Sequence, residues 1–86
     1  MKTEQILCLI MAELERAEKI HPAWPTDLVK ASAILAEEAG ETLRAANTFD
    51  ETRSDKKEII TETVQTAAMA IRLLKNINME GTNDEQ

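Results

Sequence analysis

Glu37, Glu38 and Glu41 form an E-E-x-x-E run, and Glu62 follows on the next helical segment. At about 100° per residue, the first three fall within an arc of about 100° on one helix face. That arc carries apolar residues rather than a solvated surface. Glu38 lies one turn from Ile34 and Leu35 and two turns from Ala31 and Ala45. Glu62 stacks with Ile59, Thr66, Met69 and Leu73. An isolated ionised carboxylate in such surroundings costs several kcal/mol, so it must be neutralised, paired or bound to metal. Acids directed into a helical core from two helices suit a hard divalent cation. Magnesium takes octahedral oxygen ligation from a few carboxylates and keeps waters and substrate phosphate oxygens in the other positions. Carboxylates at i, i+3 and i, i+4 facing a second helix can hold one or two such ions. One of them can bind through water and act on it as a general base.

Two plainer readings stay open beside this one. The chain has sixteen acids, so one such run could be a solvated helix face. The inward carboxylates could also pair with Lys30 and Arg44, which flank the Glu37/Glu41 edge. The apolar neighbours of Glu38 and Glu62 favour the inward readings over the solvated one.

The elements that must position these acids are helical. The first helix runs from Thr3 to Ile20, with Ile6, Leu7, Ile10, Leu14 and Ala17 in an i, i+3, i+4 stripe. His21-Pro22 ends it, because a residue before proline disfavours the α region. After the stiff His-Pro-Ala-Trp-Pro turn, Pro25 suits the first position of a second helix over residues 25–48, with Asp27 at its positive end. Gly40 in its interior suggests close approach of a helix or ligand beside Glu41. Residues 47–57 are strongly polar and read as the connecting loop, with Asp50, Thr52 and Ser54 as candidate N-caps for the third helix. That helix continues to about residue 78 and is apolar over most of its circumference, which predicts a central place touching both other helices and a partner subunit. The expected organisation is all-α: one domain of three main helices over residues 1–79 in an oligomeric bundle, followed by a disordered tail at 80–86.

Composition agrees. Eighty-six residues with 43% hydrophobic content, one Trp, one Phe and no Tyr make a small helical domain, and the apolar surplus favours a homodimer or homotetramer. A net charge of −6 argues against direct nucleic-acid binding, although metal can bring phosphates to an acidic protein. Cys8 is alone and reads as a small buried hydrophobe in a reducing compartment. Neither a signal peptide nor a membrane span is present, so a cytoplasmic location with no membrane partner is expected.

The stretch Ile34–Ala46, I-L-A-E-E-A-G-E-T-L-R-A-A, resembles the E-E-x-x-E helix of the MazG-like all-α nucleoside triphosphate pyrophosphohydrolases. In that family an E-x-x-D follows one helix later; here Glu62-Thr-Val-Gln65 stands in its place, followed by Thr-Ala-Ala-Met-Ala-Ile-Arg-Leu-Leu. With His-Pro-Ala-Trp-Pro, the resemblance covers most of residues 10–75 and is nearest to the short, phage-like branch. It implies hydrolysis of a nucleoside triphosphate to monophosphate and pyrophosphate with Mg²⁺, or Mn²⁺, in a dimer or a dimer of dimers. Carried over, Glu37, Glu38, Glu41 and Glu62 take the metal positions, with Glu38, Glu41 and Glu62 as main ligands and Glu37 as ligand or water-orienting base. Gln65 departs from the pattern: its amide oxygen can bind Mg²⁺ but brings no charge, and Glu58, one turn before Glu62, is placed to compensate. Lys30, Arg44, Lys56 and Lys57 are candidate contacts for substrate phosphates. Trp24 is a candidate stacking residue, or else an anchor for the turn. Arg53 joins the lysines in a basic loop cluster that solvation explains equally well. His21 reads as a helix C-terminal residue, and Met11, Met69 and Met79 as core or interface filler. The alternative function is a non-catalytic helical module that binds nucleotide or protein and has lost part of the metal site at Gln65.

Overall fold

Local capping decides where each element begins. In a computed structural model that describes residues 1–79, α1 spans Thr3–Ile20, α2 Leu28–Thr52 and α3 Lys57–Asn76. There is no strand among the described residues, and the tail expected at residues 80–86 lies outside them. At the start of α1, the Lys2 N–H donates to Gln5 Oε1 at 2.9 Å. At its end, the His21 N–H reaches the Ala17 carbonyl at 2.9 Å, and Pro22 stops the helix as expected.

The ends of α2 differ from the sequence expectation. It starts at Leu28 rather than Pro25, because Asp27 is a true N-cap whose Oδ1 accepts from the N–H groups of Val29 (2.8 Å) and Lys30 (3.3 Å). A carboxylate that satisfies two orphan donors sets the start more firmly than a proline, which only lacks one. The helix also runs past residue 48 to Thr52: the polar interval contains no Gly or Pro to break it, and Thr52 Oγ1 donates to the Thr48 carbonyl at 2.9 Å. It stops at Arg53, which takes the left-handed conformation (φ 56°, ψ 30°) and donates its N–H to the Phe49 carbonyl. The guanidinium of Arg53 and the ammonium of Lys56 lie over the Phe49 ring, 5.7 and 5.6 Å from its centroid. None of Asp50, Thr52 or Ser54 caps α3. The cap position is Lys56, which makes no side-chain cap hydrogen bond; Asp55, one residue outside it, accepts from the Lys57 N–H through Oδ1 at 2.8 Å. α3 ends at Asn76, two residues short of expectation.

The connection between α2 and α3 is only residues 53–56, so the two helices run antiparallel. α3 packs against both other helices, while no Cα of α1 comes within 8 Å of one in α2. The central place expected of α3 is therefore observed. Leu14 and Ala17 of α1 meet Ala68 and Met69 of α3, and Ile34 and Leu35 of α2 pack against that cluster. Ala31, Ala45 and Ala68 are buried, and alanine lets helices approach closely. The core is thin: no large side chain is fully buried, while Met11 (54% exposed), Leu43 (63%) and Leu74 (71%) face outward. Cys8 is exposed, which corrects its reading as a buried hydrophobe: it lies off the Ile10/Leu14/Ala17 face that meets α3. No other helix of the chain approaches Gly40: a Cβ there would meet nothing within 4 Å. No described helix is long and apolar enough to cross a membrane.

Candidate functional site

Two threonines fix the relation between the acidic helices. Thr42 Oγ1 and Thr66 Oγ1 are 3.1 Å apart across the α2–α3 interface. Thr66 Oγ1 donates to the Glu62 carbonyl at 2.7 Å, so its oxygen is free to accept the Thr42 proton. Thr42 Oγ1 also lies 3.4 Å from the Glu38 carbonyl. This hydroxyl chain ties the backbone at Glu62 to the turn of α2 that carries Glu38. Because the helices are antiparallel, Glu38 lies one turn to one side of the threonine contact and Glu62 one turn to the other.

Glu38, Glu41 and Glu62 are half-buried, whereas Glu37 and Glu58 are exposed. Burial first, and then the charges of Glu62, Glu37, Glu41 and Glu13 in that order, push the Glu38 carboxyl above the ordinary carboxylate range. No hydrogen bond or ion pair reaches the Glu38 side chain among the described residues. The ion-pair reading is met only at its edge: Arg44 Nε is 3.8 Å from Glu41 Oε1, in an exposed pair worth little. Lys30 forms no ion pair among the described residues. The cluster is thus a set of like charges around a carboxyl that no protein cation compensates.

Glu13 was not among the residues singled out from the sequence. It comes from α1, lines a cavity with Glu38, and is held by both Arg16 Nε (2.9 Å) and Arg16 Nη2 (2.7 Å). A signal existed. Glu13 is i+3 from Ile10 and i−4 from Ala17, inside the apolar stripe of α1, where the phase argument used for Glu38 applies equally.

The candidate substrate contacts separate. Lys56 and Lys57 stand at the α2–α3 connection, where Lys56 covers Phe49. Trp24 and Gln65 instead line the same cavity of about 320 Å³ as Glu13 and Glu38. Arg72 lines it as well, at 4% exposure the most buried charged residue among those described. Its Nη2 donates to the carbonyls of His21 and Ala23, the latter at 3.3 Å, and its guanidinium lies 4.8 Å from the centroid of the Trp24 ring. Arg72 therefore holds the His21–Trp24 turn against α3, and Trp24 serves as an anchor whose ring also walls the cavity. Arg72 could have been found by the same phase reading, being i+3 from Met69 and i+4 from Ala68.

As placed, no group of three or more His, Cys, Asp or Glu side chains among the described residues converges closely enough to hold a metal ion. The fit to a divalent cation is one of donor type and uncompensated charge. Magnesium commonly takes only one or two protein carboxylates and completes its shell with water and phosphate, so it does not require a protein cage. Comparison with protein-family models, with curated proteins and with solved structures gives no match.

Proposed function

We propose that the chain is a MazG-like, Mg²⁺-dependent nucleoside triphosphate pyrophosphohydrolase that works as a homodimer or homotetramer. The observation that carries this reading is the half-buried Glu38 carboxyl, surrounded by Glu62, Glu37, Glu41 and Glu13 and compensated by no cation among the described residues. Such a cluster is costly for a free protein and favourable for one that binds a divalent ion. In this reading one or two of Glu38, Glu41 and Glu62 would bind the ion directly and the others through water. Bound magnesium supplies positive charge to the triphosphate oxygens and lowers the pKa of water. Glu37, exposed beside Glu38, would orient the attacking water and take its proton. Gln65 contributes a neutral oxygen or amide donor inside the cavity. Arg44, Lys30 and the connection lysines Lys56 and Lys57 offer phosphate contacts outside it.

A second reading has one observation in its favour. Gln65 brings no charge where the resembled motif has Asp, which suits a module that binds nucleotide or protein without turnover. The experiment is pyrophosphate release from a panel of deoxynucleoside triphosphates with Mg²⁺, alongside melting in the presence of metal and nucleotide. Hydrolysis that Glu62→Gln reduces by orders of magnitude is the expected result. Binding without release, in both the wild type and Gln65→Asp, would favour the module. Neither binding nor release would make the acidic cluster structural.

A further inference from the structure

The Arg72 guanidinium carries five N–H groups, and the two on Nη2 meet the carbonyls of His21 and Ala23. The remaining N–H groups, on Nε and Nη1, meet no acceptor among the described residues, and no carboxylate pairs with Arg72 there. A side chain at 4% exposure with unmatched donors is an expensive arrangement unless something else completes it. Arg72 lines the cavity of about 320 Å³ that also reaches Glu38, and that volume suits a small ligand.

The walls say what kind of ligand. Ala17, Ala23, Trp24, Ile34 and Met69 give the cavity flat or apolar surfaces. A hydrated phosphate gains little from those; Arg16, the other cation lining the cavity, is already taken by Glu13, and Glu38 adds a further carboxyl. The present partners of Arg72 are two neutral carbonyl oxygens and an aromatic face. A third neutral carbonyl, on a flat ring, completes that set without adding negative charge.

We infer that this cavity receives the nucleobase of the substrate and that Arg72 is a specificity residue, donating to a ring carbonyl and so favouring oxo-bearing bases over adenine. The inference rests on the pyrophosphohydrolase reading, with the base inside the cavity and the triphosphate outside it, on the ion that Glu38 and its neighbours would hold. Adenine presents a 6-amino donor where an oxo-bearing purine presents a carbonyl, so an Arg72 N–H aimed at that position meets another donor and stays unmatched, which is the situation that gives strong discrimination.

The cleanest pair of probes is dITP and dATP, whose bases differ at the 6-oxo and 6-amino positions. For the full chain with Mg²⁺, kcat/KM for pyrophosphate release should favour dITP by at least about tenfold. Arg72→Met, which keeps the length and apolar stem, should bring that ratio close to one by lowering the dITP value. Because loss of Arg72 also loosens the His21–Trp24 turn, binding to the wild type provides a second readout. Non-hydrolysable dITP should shift the Arg72 Nε–H resonance and change the fluorescence of Trp24, the single tryptophan, at lower concentration than the dATP analogue. Equal use of dITP and dATP, or a preference that survives in folded Arg72→Met, overturns the base assignment and leaves the pyrophosphohydrolase reading standing. Absence of both hydrolysis and binding for every triphosphate overturns the two together.

Discussion

Glu38 has a raised carboxyl pKa, and the sign of its effect on stability follows. A group that holds its proton more tightly when folded makes no difference to stability below its ordinary value of 4.5. As pH rises from there through the folded value, the unfolded chain ionises first and stability falls; above that value the loss persists. Glu38→Gln should remove this decline and raise the melting temperature of the metal-free protein at neutral pH. It should also remove most of the stabilisation that Mg²⁺ or Mn²⁺ gives the wild type by mass action. A mutant that keeps the full metal response would point away from Glu38 as a ligand. The ranking of the neighbours is a separate check. Glu62→Gln should bring the Glu38 carboxyl further back toward its ordinary value than Glu13→Gln does, read by carboxyl-carbon NMR titration, because Glu62 is the strongest of the charges acting on it. Much of this residue-level picture was legible beforehand, since helical phase alone put Glu38 and Glu62 among apolar neighbours. Glu13 and Arg72 obey the same phase rule but stand outside the acidic motif. What phase cannot supply is that Arg72 lies under the His21–Trp24 turn, a contact across 51 residues.

Among the elements, α2 and α3 form an antiparallel hairpin with one polar contact in its interface. Thr66→Val keeps the side-chain shape but removes the hydroxyl that links Thr42 to the Glu62 carbonyl, and should cost about 1 kcal/mol in urea unfolding. Asp27→Ala should cost about 0.5–2 kcal/mol, since it leaves the N–H groups of Val29 and Lys30 without their acceptor. A cost near zero at Asp27 would mean that packing at Ala31 fixes the start of α2 by itself. The existence of the three helices and the stop at His21-Pro22 were readable from periodicity and proline chemistry. The boundaries at Leu28, Thr52 and Lys57 were not, because several short polar side chains compete for each cap and the winner depends on backbone geometry. Asp55 and Asp50 are the same residue type five positions apart, and only one sits where the Lys57 N–H points.

For the molecule as a whole, the thin core and the outward-facing side chains carry the argument. Leu7 and Met11 on α1, Leu28 and Val29 on α2, and Leu74 on α3 are all more than half exposed in the single chain. Small domains seldom leave so much apolar surface in water, and burying it between copies is the common solution. Light scattering should therefore give twice the chain mass of 9.6 kDa, or a larger multiple. A stable folded species at the mass of one chain would remove the oligomer from the proposal. Sequence composition anticipated this surplus; which faces carry it became visible only once α3 was seen to contact both other helices while α1 and α2 stay apart.

The left-handed Arg53 gives the hairpin a point of topological choice. A non-glycine residue at φ 56° is held there at a cost of roughly 1 kcal/mol, and only four residues separate the two helices it divides. If Arg53 relaxes to the right-handed region and residues 54–55 follow it into helix, α2 and α3 become one continuous rod, and α3 of one chain can dock on α2 of another. The same interface would then form between chains, as domain exchange rather than as a hairpin. Arg53→Gly, which relieves the strain, should stabilise the closed form and shift the population away from exchanged species. Arg53→Ala, which retains the strain and favours helix, should do the opposite. Size-exclusion profiles of the two variants after refolding at high and low concentration would separate these outcomes, and identical profiles would mean that the turn does not govern the exchange.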